Sequence, residues 1–203
     1  MITLKKLSKS YNGKQVLDKI DLSINDGERV LISGDSGIGK TTLFRCIAGL
    51  ETYEGSITDL TGKISYVVQN HPFMPWLNIK DNIQLPLRLS GQDFNNTLYK
   101  HFLSEFGLEG HDNKYPEQVS GGQLQRFAII QALMTDYKVL LLDEAFKGLE
   151  KSLYEKILSF LSDYCNHNNI TLLYITHDDV SKSHFTKELI LGDKKYIYKP
   201  LLR

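Results

Sequence analysis

Apolar and polar residues alternate with a period of two through the first third of the chain, which is the pattern of β-strands. The alternation is strict over residues 20–24 and looser over residues 2–7. A short apolar stretch at 29–33 then leads through several glycines into a helical pattern over 41–50. The strands predicted in this part of the chain are 2–7, 20–24, 29–33, 55–57 and 64–68.

The middle of the chain has a helical periodicity, and the last third alternates again between strands and helices. Residues 78–137 favour helices, and the breaks predicted within them are at Pro86, 90–91, 107–110 and Pro116. A helix is predicted beyond residue 150, and its apolar face contains Tyr154, Ile157 and Leu161. The other elements predicted here are strands 139–142, 170–175, 189–191 and 196–198 and a short helix near 178–184.

Strand–helix alternation at both ends predicts a sheet of parallel strands covered by helices, with the helical middle inserted into it. The composition agrees with a folded domain, since 41% of the 203 residues are hydrophobic and 24% are charged. Lys and Arg total 24 and Asp and Glu also total 24, so the basic excess of a nucleic-acid binder is missing. We therefore expect no nucleic-acid partner.

The sequence has neither the apolar run of a membrane span nor the features of a cleaved signal peptide at its start. Cys46 and Cys165 are too few for a disulfide framework and lack the spacing of a metal site. We expect reduced thiols and a cytoplasmic location. We also expect no regulatory C-terminal domain, because the chain stops soon after the last predicted strand.

Residues 34–41 read Gly-Asp-Ser-Gly-Ile-Gly-Lys-Thr, which matches the phosphate-binding pattern G-x-x-x-x-G-K-[ST] completely. A predicted strand precedes this loop and a predicted helix follows it, as the pattern requires. Backbone N–H groups of such a loop and the helix N-terminus attract phosphate, so we expect an ATP site. Its candidate residues are Gly34, Asp35, Ser36, Gly37, Ile38, Gly39, Lys40, Thr41 and Thr42.

A carboxylate for Mg²⁺ is expected at the end of a neighbouring strand. The apolar strand 139–142 ends in Asp143 and Glu144, at the strand end where ligands bind in open α/β sheets. Asp143 and the Thr41 hydroxyl are therefore the predicted Mg²⁺ ligands. Glu144 is the predicted general base for water that attacks the γ-phosphate, and Lys40 is expected to contact the β- and γ-phosphates.

A second glycine cluster precedes a helical run. Ser120, Gly121, Gly122 and Gln123 combine a hydroxyl, free N–H groups and a helix N-terminus, which together favour another anion. A plain helix cap is the other interpretation of this cluster. One triphosphate does not easily occupy two such sites in one chain, which suggests that the second serves a nucleotide held elsewhere.

Together these motifs resemble the nucleotide-binding subunit of ABC transporters over essentially the whole chain. The resemblance implies an α/β fold: a P-loop NTPase core with an N-terminal antiparallel β portion and an inserted helical subdomain, the ABC ATPase fold. It implies a single domain over 1–203, with the core at about 1–70 and 138–203 and the helical subdomain at about 71–137. It also implies a head-to-tail dimer, in which Ser120 to Gln123 close over ATP on the opposite subunit.

The resemblance assigns roles to three further residues. Tyr11 corresponds to the aromatic residue that stacks on adenine. Gln69 corresponds to the glutamine that contacts Mg²⁺ and the attacking water, and His177 to the histidine that holds the γ-phosphate. The other histidines, at 71, 101, 111, 167 and 184, are expected to be structural or exposed.

Three positions depart from the family pattern. Ala145 stands where a proline usually follows the catalytic glutamate, Glu150 stands in place of an aspartate, and Gln131 replaces a common arginine. None of these removes a ligand, so we expect an active ATPase. Glu150 in particular could weaken contacts across the dimer.

The apolar segment from Phe73 to Leu77 follows Gln69 closely. It is either core or an exposed surface for a partner's helix, and we expect Trp76 to be partly exposed. The resemblance implies that the permease subunit docks at this segment. The Pro-Trp-Leu-x-Ile-x-Asp-Asn pattern of 75–82 is similar to importers of nitrate, sulfonates, taurine and thiamine precursors. The Leu-Pro-Leu of 85–87 also occurs in exporters of the lipoprotein-release type.

The leading hypothesis is an ATP-hydrolysing subunit of an ABC transporter, peripheral on the cytoplasmic face of the membrane. A soluble ABC-type ATPase acting on nucleic acid or ribosomes is the second class, which the zero net charge and the single cassette disfavour. A P-loop kinase is the third, which the Ser-Gly-Gly-Gln sequence disfavours. The sequence does not identify the solute or the direction of transport.

Overall fold

The computed structural model describes residues 1–69, 72–177, 181–192 and 195–201. The first sheet has three antiparallel strands, β1 (Ile2–Tyr11), β2 (Lys14–Ile24) and β4 (Glu54–Thr58). Their order in the sheet is β2-β1-β4. Asn12 and Gly13 join β1 to β2 with φ values of 48° and 78°. This is the Asn-Gly pair favoured in two-residue hairpins, and it ends β1 at Tyr11.

The second sheet has six strands in the order β5-β6-β7-β3-β8-β9. The β3, β6, β7 and β8 strands run parallel, and β9 is antiparallel to β8. Ligands of such sheets bind at the carboxyl ends of the parallel strands. The strand bounds are β3 (Arg29–Ser33), β5 (Ile64–Val67), β6 (Val139–Asp143), β7 (Thr171–Ile175), β8 (Lys187–Gly192) and β9 (Lys195–Pro200).

The chain divides into two compact units. The first comprises Met1–Tyr66, Tyr137–Glu144 and Leu161–Arg203, and it contains most of both sheets. The second comprises Val67–Asp136 and Ala145–Phe160. Residues 145–160, assigned to the core by the sequence-based division, thus group with the helical middle.

The helices lie where the apolar periodicity predicted them. Asn78 and Asn95 begin α2 and α3, where each side chain accepts a hydrogen bond from an N–H group of the first turn. Gly91, with φ of 67°, ends α2 at the predicted break. The helix bounds are α1 (Lys40–Ile47), α2 (Ile79–Ser90), α3 (Asn96–Glu105), α4 (Gly121–Met134) and α5 (Lys151–His167).

One predicted break is wrong: α2 continues through Pro86. Proline has no N–H to donate to the carbonyl four residues earlier, which belongs to Asn82. The Gln131 side chain supplies the missing donor, because its amide nitrogen lies 2.6 Å from that Asn82 oxygen. The residue that replaces the family's usual arginine thus satisfies the carbonyl that Pro86 leaves without a helical partner.

The short helix predicted near 178–184 lies partly outside the described residues. Its described portion forms a single 3₁₀ turn over Lys182–His184.

Cys46 and Cys165 are both buried as free thiols, and burial raises the pKa of Cys165 to about 12. Among the helices of the described residues, none combines the length and apolar content needed to cross a bilayer.

Candidate functional site

The loop between β3 and α1 depends on glycine at two positions. Gly34 and Gly39 have φ values of 138° and 110°, which lie in the region that disfavours other residues. A Cβ atom on Gly34 would lie 2.3 Å from the Leu191 carbonyl oxygen, and one on Gly39 would lie 2.9 Å from Val16 Cγ1. Glycine is therefore required at both positions by conformation and by space.

The loop presents donors suited to phosphate. Among the described backbone hydrogen bonds, the N–H groups of Asp35, Ser36 and Gly37 have no acceptor. Lys40 begins α1 and is 5% exposed, and its ammonium group donates to the carbonyl oxygens of Gly34 at 2.7 Å and Asp35 at 2.8 Å. Burial lowers the pKa of Lys40, an effect opposed by the nearby carboxylates. The loop thus fits a bound polyphosphate.

The predicted Mg²⁺ ligands, Thr41 and Asp143, lie together. The Thr41 hydroxyl donates to Oδ1 of Asp143 at 3.2 Å, and the Tyr66 hydroxyl donates to Oδ2 at 3.0 Å. Burial raises the pKa of Asp143, while these two hydrogen bonds oppose the rise. A buried carboxylate beside a hydroxyl is a donor set of hard oxygens, which fits Mg²⁺.

Glu144 and His177 lie close together because they follow β6 and β7, and these two strands pair up to their carboxyl ends. Asp143 is paired with Ile175 in parallel β6 and β7, and the Glu144 N–H donates to the Ile175 carbonyl at 2.9 Å. Glu144 has φ of 49°, an uncommon value for a residue with a side chain. Its Oε1 lies 3.3 Å from Nε2 of His177. The general base and the histidine predicted from sequence are thus direct partners.

In the second unit, Ser120 and Gln123 form a capping box at the start of α4. The Gln123 N–H donates to the Ser120 hydroxyl at 3.2 Å, and the Ser120 N–H donates to Oε1 of Gln123 at 2.9 Å. Gly121 is exposed, and a Cβ on it would meet nothing within 4 Å. The helix-cap interpretation therefore describes this conformation, and the glycine leaves the helix N-terminus open to a ligand.

The buried side chain of Asn82 holds the backbone of the segment from Phe73 to Leu77. Asn82 is 2% exposed, and its amide nitrogen donates to the carbonyls of Met74, Leu77 and Asn78 at 3.0–3.1 Å. Its oxygen accepts from the Met74 N–H at 2.6 Å. Trp76 is 71% exposed, as predicted, so the segment presents an indole to its surroundings.

The other predicted residues are distributed over both units. Gln69 is exposed and belongs to the second unit, like Ser120, whereas the loop residues, Asp143 and His177 belong to the first. Tyr11 ends β1 and is 38% exposed. Of the departures, Ala145 is fully buried, and the exposed Glu150 accepts a hydrogen bond from Ser152 at 2.8 Å.

Sequence reasoning missed two residues: Tyr66, which contacts Asp143, and Asn82, which holds the segment before α2. Tyr66 was not predicted as a partner of Asp143, because that contact depends on β5 lying next to β6. The contacts of Asn82 were not predicted either, although a buried asparagine must find partners for both its donors and its acceptor. The sequence contained one sign of these contacts, which is that Asn82 is a polar residue at a helix position where an apolar one is expected.

Comparison with known proteins gives the family. Residues 17–147 match the ABC transporter family. The chain is 37% identical over 188 residues to an aliphatic sulfonates import ATP-binding protein of Pseudomonas savastanoi, covering 92% of this chain and 78% of that one. It is 35% identical over 201 residues to a taurine import ATP-binding protein of Escherichia coli O157:H7, covering 94% and 79%.

A longer relative and a solved structure indicate the same family. A spermidine/putrescine import ATP-binding protein of Thermotoga maritima is 38% identical over 190 residues, which cover 87% of this chain. The chain spans about half the length of that relative, 52%. The dimeric, post-hydrolysis structure of the ATP-binding cassette MJ0796 with ADP and Pi has a TM-score of 0.89, at 28% identity and full coverage of both chains. The chain therefore belongs to the ABC transporter family, as one of its ATP-binding cassettes.

Proposed function

We propose that this chain binds and hydrolyses ATP with Mg²⁺ as the ATPase subunit of an ABC transporter. The observation that carries the proposal is the convergence of four groups in the first unit: the glycine loop with Lys40, the Thr41–Asp143 pair, Glu144 and His177. The glycine loop follows β3, Asp143 ends β6 and His177 lies just beyond β7, at the edge where open α/β sheets bind their ligands.

Each group has a role that its contacts support. When bound, ATP supplies the phosphoanhydride bond and Mg²⁺ supplies positive charge to the phosphate oxygens. Lys40 and the loop N–H groups hold the phosphates, while Thr41 and Asp143 offer oxygen atoms to the metal. Glu144 accepts a proton from water at its carboxylate, and His177 orients that carboxylate while contacting the γ-phosphate.

The second part of the proposal is a head-to-tail dimer. The open N-terminus of α4, with Ser120 and Gly121, supplies a second set of donors suited to a triphosphate. That set would act on ATP bound to the partner cassette, either a second copy or a paralogue. The solved MJ0796 cassette is described as dimeric, which supports this arrangement.

The third part is a permease partner in the membrane, with the cassette peripheral on the cytoplasmic face. The relatives are named for import of polyamines, sulfonates and taurine, so import is the direction that we propose. These solutes differ chemically at similar identity to this chain. The choice of solute is therefore assigned to the membrane partner rather than to the cassette.

A Thr41→Val variant tests the proposed reaction. Valine keeps the shape of the side chain but removes the oxygen offered to Mg²⁺, so the Mg²⁺ concentration giving half-maximal phosphate release is expected to rise about 10- to 100-fold. The assay is phosphate release from ATP across a Mg²⁺ titration. Thr97→Val, at an exposed position on α3, is the control. An unchanged Mg²⁺ requirement in Thr41→Val would contradict the assignment of Thr41.

A Trp76→Ala variant tests the permease docking surface. A tryptophan that acts as an interface hot spot contributes about 2 kcal/mol or more, so the affinity for the membranes is expected to fall about 30-fold while ATP affinity is unchanged. The measurement is co-sedimentation with membranes of cells that express the transporter. Leu89→Ala is the matched control, because Leu89 is an exposed apolar residue of the same unit, at 80%. Equal retention of the two variants on the membrane would rule out docking through Trp76.

A further inference from the structure

Lys9 is an unusual residue for an antiparallel strand, because its side chain is charged and only 9% exposed. Its ammonium group forms an ion pair with Glu51 at 3.0 Å and donates to the Thr52 hydroxyl at 3.1 Å. Burying an ammonium group is costly unless it is paired and hydrogen-bonded. These partners satisfy that requirement, so Lys9 is held in one position.

In that position Lys9 lies over the aromatic ring of Tyr11, with its nitrogen 4.8 Å from the ring centre. This distance is within the range of cation–π interactions. The Lys9 ammonium, and after it the Tyr11 hydroxyl, lowers the pKa of the Glu51 carboxylate. Glu51 therefore fixes Lys9 through the ion pair, and Lys9 in turn covers one face of the Tyr11 ring.

We propose that Lys9 and Glu51 are positioning residues for Tyr11: Lys9 covers one face of the ring and leaves the opposite face as the stacking surface for the nucleotide base. This inference rests on the proposed ATP-binding function. Tyr11 lies at the end of β1, directly before the Asn12–Gly13 turn. A fixed ring loses less side-chain entropy when a base stacks on it.

The ammonium group also affects the strength of stacking. A cation over one face draws electron density from the ring, so the opposite face carries less negative charge toward the electron-rich purine. Stacking of a base on an aromatic side chain contributes several-fold to tens-fold in affinity. The proposal therefore assigns Lys9 an effect on the part of affinity that comes from the base, and none on the part that comes from the phosphates.

The test compares two ligands, Mg-ATP and Mg-tripolyphosphate, which share the phosphate chain and differ in the nucleoside. Calorimetric titration of Lys9→Met is expected to give ATP affinity about 5- to 10-fold weaker, with tripolyphosphate affinity unchanged. Lys9→Arg keeps a cation over the ring and is expected to restore ATP affinity. Tyr11→Ala is expected to weaken ATP alone, and the Lys9→Met substitution is expected to cause no further loss in the Tyr11→Ala background.

Several results would overturn the inference. Equal weakening of ATP and tripolyphosphate by Lys9→Met would show a general structural role, and additive losses in the double variant would show that Lys9 does not act through Tyr11. Glu51→Gln removes the ion pair that fixes Lys9 over the ring, and it provides the same comparison if Lys9→Met does not fold. Failure of the wild-type chain to bind either ligand would instead refute the ATP site itself, and the inference with it.

Discussion

Replacing Glu144 by glutamine is expected to reduce phosphate release from Mg-ATP at least about 100-fold while leaving ATP bound. Glutamine keeps the size of the side chain and can still contact His177, whose Nε2 lies 3.3 Å from Oε1 of Glu144. It cannot accept a proton from water at neutral pH. The reaction should therefore stop after ATP has bound and before it is cleaved.

A stopped reaction has a second consequence, which is a stable dimer. If Ser120 and Gly121 contact the ATP of a partner cassette, uncleaved ATP should hold two chains together. Size-exclusion chromatography of Glu144→Gln in saturating Mg-ATP is expected to give a dimer peak, and removal of Mg-ATP should return the monomer. Glu109→Gln, at an exposed position, is the control and should hydrolyse ATP normally. A monomer peak for Glu144→Gln under saturating Mg-ATP would contradict the proposed dimer.

The second large effect is expected for Lys40→Met, which should weaken ATP binding at least about 100-fold. Two or more charge-assisted hydrogen bonds to phosphate, each contributing about 1.5–3 kcal/mol, depend on this ammonium group. Methionine suits the position because Lys40 is 5% exposed and an apolar side chain of similar length can occupy that space. The expected loss is therefore one of charge rather than of packing.

Calorimetric titration with Mg-ATP measures this loss, and thermal unfolding checks that the variant is folded. Lys5→Met is the matched control, because Lys5 is an exposed lysine on β1. It should bind ATP as the wild-type chain does. An ATP affinity in Lys40→Met within a few-fold of wild type, in a folded protein, would show that the glycine loop is not the phosphate site.

The predictable parts of the site are those encoded locally. The glycine loop, its lysine and the acidic pair after β6 each occupy consecutive positions, so their spacing alone indicated their conformation and chemistry. The contact between Glu144 and His177 needed one further step, the pairing of β6 with β7. Tyr66 needed the full strand order, which no local pattern contains.

The error at Pro86 has a similar cause. Proline in a helix leaves one carbonyl without its donor, and the local pattern gave no sign that this could be repaired. The repair comes from Gln131, which lies 49 residues from the Asn82 carbonyl that it satisfies. A break predicted from one residue was therefore overridden by a hydrogen bond formed only in the tertiary structure.

The four hydrogen bonds of the Asn82 side chain, three donated and one accepted, also bear on how fast a partner can be captured. Because they hold the backbone on both sides of Trp76 before any partner arrives, association need not wait for this segment to order. Binding of a preformed surface loses less conformational entropy than coupled folding and binding. Binding to the proposed permease partner should accordingly proceed as a rigid-body encounter, and differences in affinity should arise mainly from dissociation.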